Sequence, residues 1–224
     1  MTGIPNLEAI SERIRAAFEV KNTARDQALA RSRELIRYCA MSIRAVHRQE
    51  FDLAGQLLEQ ARQVADAMRA DLAEHPDLYY AGYTQDALKE FVEASATFAL
   101  VQDQPLPEPE AMRVEYSTYL AGLAEAVGEL RRHVVDRIRA GELARGDRLM
   151  EMMDDIYDVL VTMDYPDAIT AGLRRLTDVA RGIIERTRGD LMIAARQEKL
   201  EAALAAFEGH IHAMNREEGK AEEA

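Results

Sequence analysis

Two pairs of glutamates have the type and spacing to do chemistry. In "KEFVEASATF", Glu90 and Glu93 stand three apart, and in "YLAGLAEAVGELRRHVV", Glu125 and Glu129 stand four apart with His133 one turn further on. On helices these spacings stack each pair on one face, where like charges repel. A hard divalent cation would remove that repulsion. Mg²⁺ favours carboxylate oxygens and keeps several waters, so four carboxylates from two packed helices could hold one or two ions and present a water to a phosphodiester. Spacing alone leaves a plainer alternative open. Both pairs lie opposite the apolar seams of their helices, and a solvated acidic face is the commoner arrangement. An iron site of the ferritin kind is disfavoured, because its Glu-x-x-His pairs are missing. His133 could add a nitrogen ligand, although a lone helical histidine is more often a partly exposed side chain. No Ser or Cys nucleophile with its base, Gly-rich phosphate loop or CxxC zinc site is present.

A second feature is basic. At about 100° per residue, Arg33, Arg37, Arg44 and Arg48 fall within roughly 60° of one another, a stripe about 20 Å long. It reads either as a solvated face paired with acids or as a track for phosphates. Arg131 and Arg132, beside Glu129, are further phosphate candidates. The net charge of −12 argues against a nucleic-acid partner. Yet 24 of the 28 basic residues are Arg, the residue suited to bidentate phosphate contacts.

These residues need helices to position them, and the chain supplies little else. Its 224 residues are 48% hydrophobic and 30% charged, enough to bury a sizeable core. Three of the six prolines crowd into "QDQPLPEPE", so most of the chain lacks a helix breaker. The pattern predicts helices from Asn6, as N-cap, to about Val20, over about 23–49, 52–73, 85–101 (capped by Thr84), 111–140 (ending at Gly141) and 148–163. A last long stretch is capped by Asp167, with a possible break at Gly189. Tyr116, Leu120, Leu123, Val127, Leu130, Val134 and Ile138 form one apolar seam, and Ile36, Cys39, Ile43 and Val46 another. The expected fold is an all-α single-domain bundle over 1–210 with a polar, disordered tail over 211–224. A stripe of Ile193, Leu200, Leu204, Phe207 and Ile211 lies beyond a complete bundle and needs covering, which predicts self-assembly. No 18-residue apolar run and no signal peptide is seen, and the single Cys39 suits a reducing interior, so a cytoplasmic location is expected.

"ARDQALARSRELIRYCAMSIRAVHRQEFDLA" resembles the basic second helix of the translin family. "KEFVEA", "YLAGLAEAVGELRRHVVDRIRAGELARGD" and "IYDVLVTMDYPDAITAGLRRLTDVARGIIERTRGDL" match that family in the same order, from about Asn22 to Leu191. Because the acidic positions are kept, the chain is closer to translin-associated factor X, and most similar to archaeal members that serve as both subunits. The resemblance implies about seven helices per protomer and a hollow octamer. It also implies Mg²⁺-dependent cleavage (Mn²⁺ as a substitute) of single-stranded RNA, and of single-stranded DNA as a second substrate, within the cavity. It places the family's Glu-x-x-Glu on Glu90 and Glu93, and its Asp-x-x-x-Glu on Glu125 and Glu129, with Glu125 standing for Asp. All four would be catalytic and metal-binding, and Glu125 would ligate the metal or orient the water. Arg33, Arg37, Arg44, Arg48, Arg131 and Arg132 would bind nucleic acid. With no Trp to stack bases, the grip would be base-independent. The alternatives are a translin-like oligomer that binds single strands without cutting them, and a structural bundle with solvated acidic stripes.

Overall fold

The computed structural model describes the backbone of residues 3–222 and side chains from residue 3 to 212. Nine helices occur among the described residues: α1 (Leu7–His47), α2 (Phe51–Asp71), α3 (Pro76–Tyr79), α4 (Gly82–Val101), α5 (Pro109–Met112), α6 (Tyr116–Arg139), α7 (Leu143–Thr162), α8 (Asp167–Thr170) and α9 (Leu173–Glu222). The all-α class is as the sequence predicts. The tail expected over 211–224 lies almost wholly outside the described side chains.

Several boundaries differ from the sequence reading, each for a local reason. The two helices expected before residue 50 are one, 41 residues long. Thr23, read as a start signal, instead donates its hydroxyl to the Glu19 carbonyl one turn back and so sits inside the helix. Asn6 precedes α1 but makes no side-chain capping bond. Thr84 lies inside α4, where its buried hydroxyl donates to the Leu78 carbonyl and ties α3 to α4. The helix expected over 111–140 is interrupted at Arg113, which adopts a left-handed conformation (φ 55°) with no Gly or Pro to signal it. At the far end Gly141 (φ 73°) closes α6 as predicted. α8 begins at Asp167, and α9 starts only after the left-handed pair Ala171 and Gly172. Gly189 does not break α9. Its cost of about 1 kcal/mol relative to Ala is outweighed by the flanking Ile184, Thr187 and Leu191, all buried.

Side-chain contacts fix the directions. α1 and α2 are antiparallel, since Ser42 donates to the Ala54 carbonyl and Arg31 pairs with Asp71. α4 and α6 are parallel: Thr118 bonds Gln85 near their starts and Glu125 bonds Lys89 further on. The crossover between them runs back along the bundle, held by Tyr119 donating to the Pro107 carbonyl and Arg69 to the Met112 carbonyl. α9 runs parallel to α6, through Arg131 with Thr187 and Asp190, and antiparallel to α7, through Arg188 with Asp154.

The core is two abutting apolar clusters, bridged by Tyr38 and Tyr119. The predicted α6 seam is buried at Leu123, Val127, Leu130 and Val134, but Tyr116 at its start is exposed. Of the α1 seam, Cys39, Ile43 and Val46 are buried, while Ile36 lies near the surface. Beyond the bundle both long helices continue as arms. α1 has no buried residue before Ala24 and exposes Ile10, Ile14 and Phe18; α9 exposes Ile193, Leu200, Leu204, Phe207 and Ile211. The α9 stripe predicted to need a cover is uncovered among the described residues.

One contact sets the approach of α4 to α6. A Cβ built on Gly122 would lie 2.6 Å from Val92 Cβ and 2.8 Å from the Lys89 carbonyl. Gly122→Ala must therefore push the helices apart. Urea unfolding should show a loss of about 1–3 kcal/mol, the usual cost of overpacking; an unchanged midpoint would mean the two helices yield freely.

Candidate metal and nucleic-acid site

The four parallel helices α1, α4, α6 and α9 enclose a cleft of about 630 Å³. α4 contributes Glu90 and Glu93, and α6 contributes Glu125, Glu129 and Arg132. α1 adds Arg44 beside Ile43, while α9 forms the remaining wall with Arg175, Leu176, Val179 and Ile183. Gly128 leaves room on α6 for this wall, its Cβ direction meeting only the Ile183 methyl at 4.0 Å.

The acidic pairs are not the solvated faces that spacing favoured. Glu93 is only 9% exposed, and Glu90, Glu125 and Glu129 are half-buried. The reason is that α4 has α1, α2 and α6 around it, so its polar side has no open solvent to face. One carboxylate oxygen from each of Glu90, Glu93 and Glu125 falls within 4.8 Å of the others. Glu93 has neither a hydrogen bond nor an ion pair among the described residues. Burial, reinforced by the charges of Glu90, Glu125 and Glu129, pushes its pKa up to about 8. Burial also raises Glu90, with Lys89 pulling the other way.

Glu129 stands apart from this trio. Its Oε2 lies 2.5 Å from His47 Nε2, whose side chain is 4% exposed. That hydrogen bond holds the Glu129 carboxyl below its usual range against the effect of burial. Behind His47 sits His133, with the two Nδ1 atoms 3.5 Å apart. His133 is buried rather than partly exposed and does not join the carboxylate trio. Burial, with His47 next to it, drops its pKa to about 4, so it is neutral near pH 7. Lys89 donates from Nζ to Glu125 Oε1 at 2.7 Å and stands 3.9 Å from Glu90 Oε1. Desolvation opposes its charge, but Glu125 and Glu90 more than compensate and its pKa rises. Cys39 is fully buried nearby; burial and the charges of Glu90 and Glu93 raise it far above the ordinary thiol range, so it is unreactive.

The arginines divide. Arg44 and Arg132 line the cleft, are exposed, and have no acidic partner among the described residues. Arg33 is exposed outside it. Arg37 pairs with Glu34 and lies over the Tyr38 ring, and Arg48 pairs with Glu50. Arg131 is drawn to α9, donating to Thr187 and pairing with Asp190. Sequence reasoning missed three residues. Lys89 stood beside Glu90 in plain view, but its azimuth differs and only the length of its stem brings it across. His47, near the end of α1, and Arg175, in "GLRRL", gave no signal, because their importance comes from helices distant in sequence.

The donor set fits a hard divalent cation. Three carboxylates converge, and Glu93 is a buried carboxyl without a partner, which is costly unless a cation or proton satisfies it. With Arg44, Arg132 and Arg175 around the acidic centre, the cleft can hold a cation at its floor and phosphates at its rim.

No protein-family model matches the chain. The uncharacterized protein MJ0175 of Methanocaldococcus jannaschii is 32% identical over 187 residues, 82% of each chain. The solved complex of AfC3PO with duplex RNA is 32% identical and gives a TM-score of 0.76 over 83% of this chain and 96% of that one. AfC3PO without RNA gives the same TM-score and identity over 97% of its chain. Apo-NeC3PO, at 20% identity, shares the fold with a TM-score of 0.74, covering 87% of this chain and all of that one. At 32% identity over most of its length to MJ0175 and AfC3PO, and carrying the four sequence blocks in order, the chain belongs to the translin family and is similar to its archaeal members resembling translin-associated factor X.

Proposed function

We propose that this protein is a metal-dependent endoribonuclease that cuts single-stranded RNA, with single-stranded DNA as a second substrate, inside a hollow homo-oligomer, an octamer by family resemblance. The observation that carries this reading is Glu93: a buried, unpartnered carboxyl converging with Glu90 and Glu125. A binding surface alone has no use for it. Glu90, Glu93 and Glu125 would hold the ion, Mg²⁺ or Mn²⁺, which supplies charge neutralisation at the phosphodiester and activation of a water. Glu129, fixed by His47, faces the same cleft and orients either the ion's ligands or the water. Arg44, Arg132 and Arg175 bind backbone phosphates, an interaction without base preference. Arg33, Arg37, Arg48 and Arg131, proposed from sequence for the same role, lie away from the acidic centre and would add phosphate contacts outside the cleft.

Cleavage of an end-labelled single-stranded RNA should require Mg²⁺, stop with EDTA, and be lost in both Glu93→Gln and Glu129→Ala. Duplex RNA belongs in the same assay, because AfC3PO has been solved with it. Tight binding without cutting in Mg²⁺ and Mn²⁺ would overturn the enzyme and leave a non-catalytic binding oligomer.

The metal-free protein should also report on Glu93 through its stability. A carboxyl whose folded pKa lies near 8, above an unfolded value near 4.5, keeps its proton better when folded. Its contribution is therefore fully present below about pH 4.5 and is lost as pH rises towards 8. Thermal melts without metal should fall across that window, and Mn²⁺ or Glu93→Gln should flatten the fall. A wild-type profile identical to that of Glu93→Gln would contradict the burial argument.

Assembly is testable separately. The exposed apolar faces of α1 and α9 are expected to be covered by other copies. Light scattering should give a particle several times 25.1 kDa; a 25 kDa monomer would remove the hollow oligomer.

A further inference from the structure

Within the metal-site reading proposed above, we infer that Lys89 is a built-in counter-ion which occupies the cation position of this site and so sets how tightly a divalent metal is held. Carboxyl oxygens of three residues drawn to within 4.8 Å of one another repel when ionised, so with no metal bound they are relieved by a proton, as on Glu93, or by a cation close by. Of the cations near the cleft, Arg44, Arg132 and Arg175 make no ion pair with these carboxylates. Lys89 is the side chain that does the neutralising. Its Nζ bonds Glu125 Oε1 at 2.7 Å while staying 3.9 Å from Glu90 Oε1, so it reaches carboxylates of two of the three residues.

An ammonium there and a divalent ion on the same oxygens exclude each other. They would share Glu125 as ligand, and their like charges would repel across a half-buried, weakly screened gap. Metal entry must therefore displace Lys89. Its flexible four-carbon stem, rooted one residue before Glu90, lets the ammonium leave without moving α4, which a planar guanidinium would do less readily. The competition holds Glu125 and Glu90 beside a cation at low metal, at the cost of affinity. Occupancy of the site becomes a function of metal concentration rather than a fixed property of the fold.

The test uses the full-length, metal-stripped protein and Mn²⁺ alone, measured by titration calorimetry and by the loss of the free Mn²⁺ spin-resonance signal. Lys89→Gln and Lys89→Met should bind Mn²⁺ about tenfold more tightly than wild type, the order of one pKa-unit-sized charge interaction removed. Lys89→Arg, which retains the charge, should not tighten binding to that extent. Unchanged or weaker affinity in Lys89→Gln and Lys89→Met overturns the inference and makes the lysine an organiser of Glu125. A second readout needs no variant: the Lys89 ammonium resonance, protected by Glu125 in the metal-free wild type, should be lost to solvent exchange on saturation with Mg²⁺. Its persistence overturns the displacement. The two readings fail differently. A wild type that binds no Mn²⁺ overturns the metal site and the lysine's role together, whereas Mn²⁺ binding that Glu93→Gln abolishes and the Lys89 variants leave unchanged overturns the lysine's role alone.

Discussion

The structure depends on the enclosure of α4. A helix packed by α1, α2 and α6 has no side that is simply wet, so polar residues on it must find partners among its neighbours. Gly122 lets α6 come close enough for Glu125 to meet Glu90 and Glu93 across the helix pair. From that constraint follow the raised pKa of Glu93, the reach of Lys89 across to Glu125, and the capture of Glu129 by His47. The acidic centre is a property of packing and only secondarily of sequence spacing.

The surrounding charge is arranged in layers. Carboxylates lie at the floor, Lys89 and His47 are tied to them, and arginines without acidic partners stand at the rim. Such layering separates the two electrostatic tasks of a phosphodiester site, since Lys89 partly offsets the acidic floor and leaves the rim arginines unpaired. It also reconciles a chain of net charge −12 with an anionic ligand. The potential that matters is local, and the bulk of the acidic residues lie elsewhere on the surface.

Much of this was legible from the chain, in proportion to how local the signal was. The α6 seam from Leu123 to Val134 is where the 3–4 spacing put it, because a buried stripe depends only on its own helix. The four glutamates were identifiable as pairs, and the family resemblance linked the pairs. Their burial was not legible. Helix periodicity separates apolar from polar faces, but it cannot tell which polar face a neighbour will cover. His47 lies 82 positions from Glu129, and Arg175 approaches from the last helix; neither sits in a local pattern. Helix ends were lost where side chains bond unexpectedly, as Thr23 and Thr84 do, or where a non-glycine residue such as Arg113 takes a left-handed turn.

α9 is a single unbroken rod that serves two places. Near its start Arg175 to Ile183 wall the cleft; some 25 residues later, about 38 Å along at 1.5 Å per residue, the same helix carries Leu200, Leu204 and Phe207 into the open. With Gly189 absorbed into the helix, no hinge divides the two stretches. Were the distal arm seated on another copy, that contact and the cleft wall would share one helix, joining assembly to the site by covalent continuity alone.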